Sequence, residues 1–256
     1  MYGHHARKRF GQHFLADPHY VARILAAIDP KRGDNFVEIG PGLAALTNTL
    51  VQRAGSIVAV EIDRDLSGRL RERFDPSQLT LHEADALEFD FGTLGPELRV
   101  VGNLPYNISS PLLFRLARHD DQLRDVHVML QREVVARMTA VPATKEYGRL
   151  TVMLQAKFAI ARLFVVPPGA FRPSPKVDSA VARLVPLREG KPVVSDDALF
   201  AQVVAAAFAQ RRKTLRNALA NICSESALRG AEIDPGARGE TLSVRQFVRL
   251  ANALAR

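Results

Sequence analysis

The tetrapeptide Asn103-Leu104-Pro105-Tyr106 groups two hydrogen-bond acceptors, a rigid link and an aromatic ring within four residues. It follows Val100-Val101-Gly102, which reads as the end of a strand, so it is expected at the carboxyl edge of an open α/β sheet, where such sheets hold ligands. Asn103 offers its side-chain oxygen and Leu104 its backbone carbonyl, and Pro105 fixes the chain so that both acceptors converge. That pair suits an amine whose lone pair is delocalised into a ring, such as the exocyclic amine of adenine. Accepting both N–H bonds favours a pyramidal nitrogen whose lone pair can point at a methyl group. Tyr106 is placed to stack on the base. A neutral amine becomes acidic only after it has gained the methyl and a positive charge, so no strong general base is needed.

A second motif lies upstream. Glu38-Ile39-Gly40-Pro41-Gly42-Leu43-Ala44-Ala45 sets G-x-G-x-x-A between a strand and a helical stretch, the context that implies a nucleotide-like ligand. The next strand ends on Glu61, about 20 residues on, where a carboxylate can accept from ribose hydroxyls. The loop by itself fits NAD and S-adenosylmethionine equally, because both present an adenosine ribose. Pro41, which stiffens the turn, and Asp85, which follows the third strand and can accept from an adenine amino group, favour S-adenosylmethionine. Neither is required by a pyrophosphate site. An NAD-dependent dehydrogenase is the alternative from fold analogy, and it lacks an evident proton donor.

Seven apolar runs must position these loops: Phe36 to Gly40, Ile57 to Glu61, Leu79 to His82, Leu98 to Gly102, Val126 to Leu130, Ile160 to Val166 and Ala180 to Pro186. Amphipathic stretches such as Leu43 to Arg53 and Leu66 to Phe74 lie between them, which predicts an α/β fold with a mostly parallel, Rossmann-like sheet. After Val185 the pattern changes to a polar linker holding Pro186, Gly190 and Pro192, followed by helical stretches only. Asp196 to Ala209 and Ser243 to Ala255, with Ser243 as N-cap, are expected as bundle helices. The expected domains are 1–189, holding the nucleotide site, and 190–256, a small all-helical unit.

The chain of 256 residues carries a formal charge of +8, which favours a polyanionic partner. Phosphate-binding candidates are Arg7, Lys8 and Arg9 near the start, Lys176, and the cluster Arg211, Arg212, Lys213 and Arg216. Cys223 is the only cysteine, which excludes a disulfide framework and suits a reducing cytoplasm. No apolar run approaches the ~20 residues of a bilayer span, and the N-terminus lacks a hydrophobic secretory segment. His4 and His5 have no carboxylate or cysteine partner at ligand spacing, so no metal is assigned.

Five blocks together resemble a known family. They are Arg7 to Leu15, the Gly40 loop, Asn103 to Asn107, Phe171-Arg172-Pro173-Ser174-Pro175-Lys176-Val177-Asp178-Ser179, and Arg211 to Asn217. In this order they are similar to the S-adenosylmethionine-dependent ribosomal RNA adenine dimethyltransferases, most closely the small-subunit enzymes that dimethylate two adjacent adenosines near the 3′ end of 16S rRNA. The large-subunit methylases of macrolide resistance share the Asn-Leu-Pro-Tyr loop, but the Phe171 and Arg211 blocks resemble the small-subunit branch over longer stretches. The resemblance implies that Gln12, His13 and Leu15 form a lip over S-adenosylmethionine, with Gly40, Glu61, Asp85 and Asn103 completing its site. Members often carry Asn where this chain has His13. The resemblance also sets Phe171 opposite Tyr106 with the flipped adenine between two rings, whereas Phe171 read alone is a core anchor for a rigid loop. It further implies a monomer acting on 16S rRNA in an immature small subunit, with a late assembly-checkpoint role, and it makes the basic clusters the RNA-binding residues.

Overall fold

Parallel strands buried on both faces read as continuous apolar runs, and the central strands of this chain are of that kind. A computed structural model describes residues 12–255. The first half comprises β1 (Phe14–Leu15), α1 (Pro18–Ile28), β2 (Asn35–Ile39), α2 (Thr47–Ala54), β3 (Ile57–Glu61), α3 (Arg64–Arg73), β4 (Leu79–Glu83), β5 (Leu98–Asn103) and α4 (Ser109–Leu116). There follow β6 (Leu123–Gln131), α5 (Arg132–Met138), α6 (Arg149–Gln155), β7 (Phe158–Val166), β8 (Phe171–Arg172) and β9 (Ser179–Pro186). The chain closes with α7 (Asp197–Ala209), α8 (Leu215–Ala218), α9 (Glu225–Gly230) and α10 (Val244–Leu254).

The seven-stranded sheet has the order β4-β3-β2-β5-β6-β9-β7, in which β4 to β6 run parallel and β9 pairs antiparallel with β6. The chain proceeds from β2 outward to β3 and β4, then returns to place β5 on the other side of β2. The carboxyl ends of β2 and β5 therefore flank a topological switch point, where a crevice forms. All seven expected strands are present, most of them longer by one to three residues at one or both ends. The two-residue strands β1 and β8, which pair antiparallel with Leu15 opposite Phe171, were not foreseen.

The helix expected from Leu43 begins only at Thr47. Gly40, Gly42 and Ala44 all take positive φ, at 67°, 56° and 66°, and hold the intervening chain as a loop. Local capping is otherwise as the residue types dictate: Asp63 caps α3 by accepting from Asp65 N, and Ser243 and Gln246 form a capping box on α10.

Arg99 is a buried charge in β5, and its partners explain how it is tolerated. Its guanidinium donates to Asp125 at 2.9 and 3.0 Å, to Asp34 at 2.6 Å and to the Ile28 carbonyl at 2.7 Å. Removing either sign alone would leave a buried charge uncompensated.

Two compact units result, each with its own core. One takes residues 12–135 and 160–186 of the described chain; the other takes 136–159 and 187–255. The boundary expected at residue 190 thus falls at Leu187, and residues 136–159, expected in the first domain, pack with the C-terminal helices. In that unit Phe200, Val203 and Val204 of α7 share a core with Tyr147, Val152 and Phe247, and the Tyr147 hydroxyl donates to Leu242 O at 2.7 Å. No helix among the described residues is long and apolar enough to cross a membrane.

Candidate active site

The register of β2 with β5 sets Ile39 opposite Gly102, so the Gly40 loop and the Asn103 loop leave the sheet side by side. That closeness depends on Gly102, where a Cβ would lie 2.6 Å from Ile39 O. The two loops, the lip before α1, and the ends of β3 and β4 line one cavity. Its wall includes Gln12, His13, Leu15, Gly40, Glu61, Asp85 and Asn103, together with Leu104, Pro105 and Tyr106.

Glu61, at the carboxyl end of β3, is 5% exposed. Its two carboxylate oxygens accept from Asp63 N at 3.0 Å and Gly42 N at 3.2 Å, which aims the group beside the glycine loop. Burial pushes its pKa up against those two N–H groups, and neighbouring Asp63 adds repulsion. Asp63 in turn accepts from Gln12 Nε2 at 2.9 Å, tying the lip to the start of α3. Asp85 closes a tight turn by accepting from Leu87 N at 2.8 Å. Between these acids the wall is apolar, with Leu43, Ile62 and Ala86.

The amide of Asn103 is oriented by one bond. Its Nδ2 donates to His13 O at 2.7 Å, which turns Oδ1 the other way, and Oδ1 takes no hydrogen bond among the described residues. His13 holds the neighbouring loop as well. Its ring stacks on Tyr106 with centroids 5.6 Å apart and planes at 26°, while Nδ1 lies 2.8 Å from Pro173 O. A carbonyl only accepts, so Nδ1 carries a proton. The Tyr106 hydroxyl pairs with Ser179 Oγ at 2.8 Å, fixing the ring from its far end.

Residues 3–256 match the family model described as ribosomal RNA adenine dimethylase. The chain belongs to the ribosomal RNA adenine dimethylase family. It is 57% identical over 255 residues to the ribosomal RNA small subunit methyltransferase A of Aromatoleum aromaticum, covering 100% of this chain and 96% of that protein. It is 54% identical to the protein of the same name from Nitrosospira multiformis, over 97% and 96% of the two chains. Among solved structures it is similar to a dimethyladenosine transferase from Plasmodium falciparum, with TM-score 0.80, 24% identity and coverage of 93% and 96%. It is also similar to the 23S rRNA methyltransferase ErmE, with TM-score 0.70, 27% identity and coverage of 95% and 100%.

In this adenine dimethylase, one expected neighbour of Tyr106 is elsewhere. Phe171 is fully buried, pairs with Leu15 through β8 and packs in the core with Val166, Ala170 and Val181; it does not line the cavity. The ring beside Tyr106 is that of His13. This is the placement of a core anchor for the Phe171 loop.

The basic residues also separate. Lys176 is exposed. Arg212, Lys213 and Arg216 are exposed in the helical unit, the last 3.9 Å from Glu225. Arg211 is committed there, donating to the carbonyls of Lys145 and Tyr147 and pairing with Glu240 at 3.0 Å. Arg7, Lys8 and Arg9 lie outside the described residues.

Two cavity-associated residues escaped the sequence reading: Ser179, whose partner Tyr106 is 73 positions away, and Glu38. Glu38 left a signal, since it is the one charged position in the otherwise apolar β2 core.

Proposed function

We propose that this chain transfers methyl groups from S-adenosylmethionine to the N6 amines of two adjacent adenosines near the 3′ end of 16S rRNA, two to each. The observation that carries this reading is the Asn103 amide, whose Nδ2 is clamped on His13 O and leaves Oδ1 free in a cavity that Asn103 and Leu104 both line. The cavity also fits the methyl donor. Glu38, Glu61 and Asp85 line it and, among the described residues, no Lys or Arg does, so a cationic ligand is favoured and a pyrophosphate is opposed. Glu61 would hold ribose hydroxyls, Asp85 the donor's adenine amine, and Leu43, Ile62 and Ala86 its ring faces. When bound, S-adenosylmethionine supplies an electrophilic methyl.

Asn103 Oδ1 and Leu104 O would accept the two N–H bonds of the target amine, and Tyr106, held by Ser179 and His13, would stack on the base. Extracting a base from its stack costs a few kcal/mol, and aromatic stacking of about 1 to 3 kcal/mol offsets much of it. Lys176, Arg212, Lys213 and Arg216 would bind phosphates; RNA of this kind is gripped through its backbone and shape. The names of the Aromatoleum and Nitrosospira relatives support a small-subunit substrate. We read the chain as a cytoplasmic monomer that meets its RNA in an immature small subunit and acts as a late assembly checkpoint.

Methyl transfer to undermethylated small subunits by Asn103→Ala tests the assignment. Loss of transfer with subunit binding retained is expected; transfer near that of the unaltered chain would overturn it.

A further inference from the structure

Glu38 lines the same cavity, and no ligand group has been assigned to it above. It sits in β2 between buried Val37 and Ile39 and is itself 2% exposed. Its Oε2 has no hydrogen-bond partner among the described residues. Thr47 Oγ1, at the start of α2, lies close enough to favour the anion without completing a hydrogen bond. The charged group that faces Glu38 is Glu61, which repels it. Burial, offset in part by Thr47 and reinforced by Glu61, pushes the Glu38 pKa up to about 7. A core position would be better served by an apolar residue, since a buried carboxylate without a partner is costly. With no Lys or Arg in the cavity wall among the described residues, the ligand is the source of a cation that would favour the ionised form of Glu38.

We propose that Glu38 reads the charge on the ligand's sulfur, favouring the sulfonium donor over the neutral thioether that remains after transfer and so helping spent ligand to leave. This rests on the S-adenosylmethionine reading given above. Transfer breaks the S–CH3 bond with its electron pair left on sulfur and forms the N6–CH3 bond, and the proton of the methylated amine passes to water. One positive charge is thereby removed from the cavity while Glu38 stays.

The linkage has a measurable sign. A cation beside Glu38 lowers its pKa, so donor binding releases a proton near neutrality and donor affinity falls as pH drops through about 7. Lowering the pKa by one unit from about 7 releases roughly 0.4 proton at pH 7 and corresponds to about fivefold in affinity at that pH. Isothermal titration of the full chain at pH 7, in two buffers of different ionisation enthalpy, measures this for S-adenosylmethionine and for S-adenosylhomocysteine. The expected result is several tenths of a proton more released by the first ligand. Glu38→Gln should abolish that difference and, at pH 7, weaken S-adenosylmethionine about fivefold more than S-adenosylhomocysteine. Equal proton release by the two ligands in the unaltered chain overturns the inference with no variant needed, as does equal weakening of both in Glu38→Gln. If neither ligand binds the unaltered chain, the cofactor reading itself fails, a result distinct from both.

Discussion

Glu38 also makes the stability of the ligand-free protein depend on pH in a direction opposite to that of most carboxylates. Its folded pKa is about 7 against an ordinary 4.5, so the folded state holds the proton more tightly than the unfolded state. The associated stability is therefore complete below about 4.5 and is lost as pH rises to about 7. At about 1.4 kcal/mol per pH unit the gap is worth on the order of 3 kcal/mol, most of which disappears between pH 5 and pH 8. Glutamine does not ionise. The stability of Glu38→Gln relative to the unaltered chain should thus improve by roughly 2 to 3 kcal/mol across that interval, whatever its offset at pH 5. Urea unfolding followed by circular dichroism at pH 5, 6, 7 and 8 reads this difference directly. A difference that stays constant within about 0.5 kcal/mol would refute a neutral, desolvated Glu38.

Asn103→Ala should slow single-turnover methyl transfer by about 100-fold or more while changing subunit affinity less than about threefold; filter binding and labelled methyl transfer separate the two. Ser179→Ala releases the far end of Tyr106 and should raise KM for the RNA several-fold with the Kd for S-adenosylmethionine unchanged, since Ser179 does not line the cavity. Arg99→Ala leaves Asp125 and Asp34 buried without their guanidinium and should cost about 3 to 5 kcal/mol by urea unfolding at pH 7. Burial alone would push Asp125 up, but His127 at 3.7 Å and Arg99 hold it well below the carboxylate range, so its stabilisation is present above about 4 and is lost only as acid reaches that depressed value. Neutralising Arg212, Lys213 and Arg216 should weaken RNA binding and flatten its salt dependence by roughly 0.7 to 0.9 for each phosphate left without its cation. Arg211→Gln should instead lower the melting temperature of the protein, because its guanidinium ties Lys145, Tyr147 and Glu240 together.

The sheet was legible because each of its strands is a distinct apolar run, and the residue types after β2, β3 and β5 marked the ligand edge. Helix α2 was misjudged at its start because apolar spacing from Leu43 continues through a loop whose Gly40, Gly42 and Ala44 take positive φ. Strands of two residues, such as β1 and β8, carry no periodicity to read. The Phe171 block was recognisable as important, yet its residue types do not tell an aromatic that stacks on a base from one that anchors a loop; its full burial in the core appears only in the fold. Arg211 was indistinguishable in sequence from Arg212, since only the fold brings the carbonyls of Lys145 and Tyr147 to it. Residues 136–159 join the C-terminal helices through packing between segments far apart in the chain, which no local pattern records.

The acceptor atom defines the reaction. Labelled methyl groups transferred to undermethylated small subunits, followed by mapping of the modified nucleotides, test it most directly. Label is expected only on the N6 atoms of two adjacent adenosines near the 3′ end of 16S rRNA, reaching two methyl groups on each. Label on another nucleotide or on large-subunit RNA, or no label despite bound S-adenosylmethionine, would contradict it.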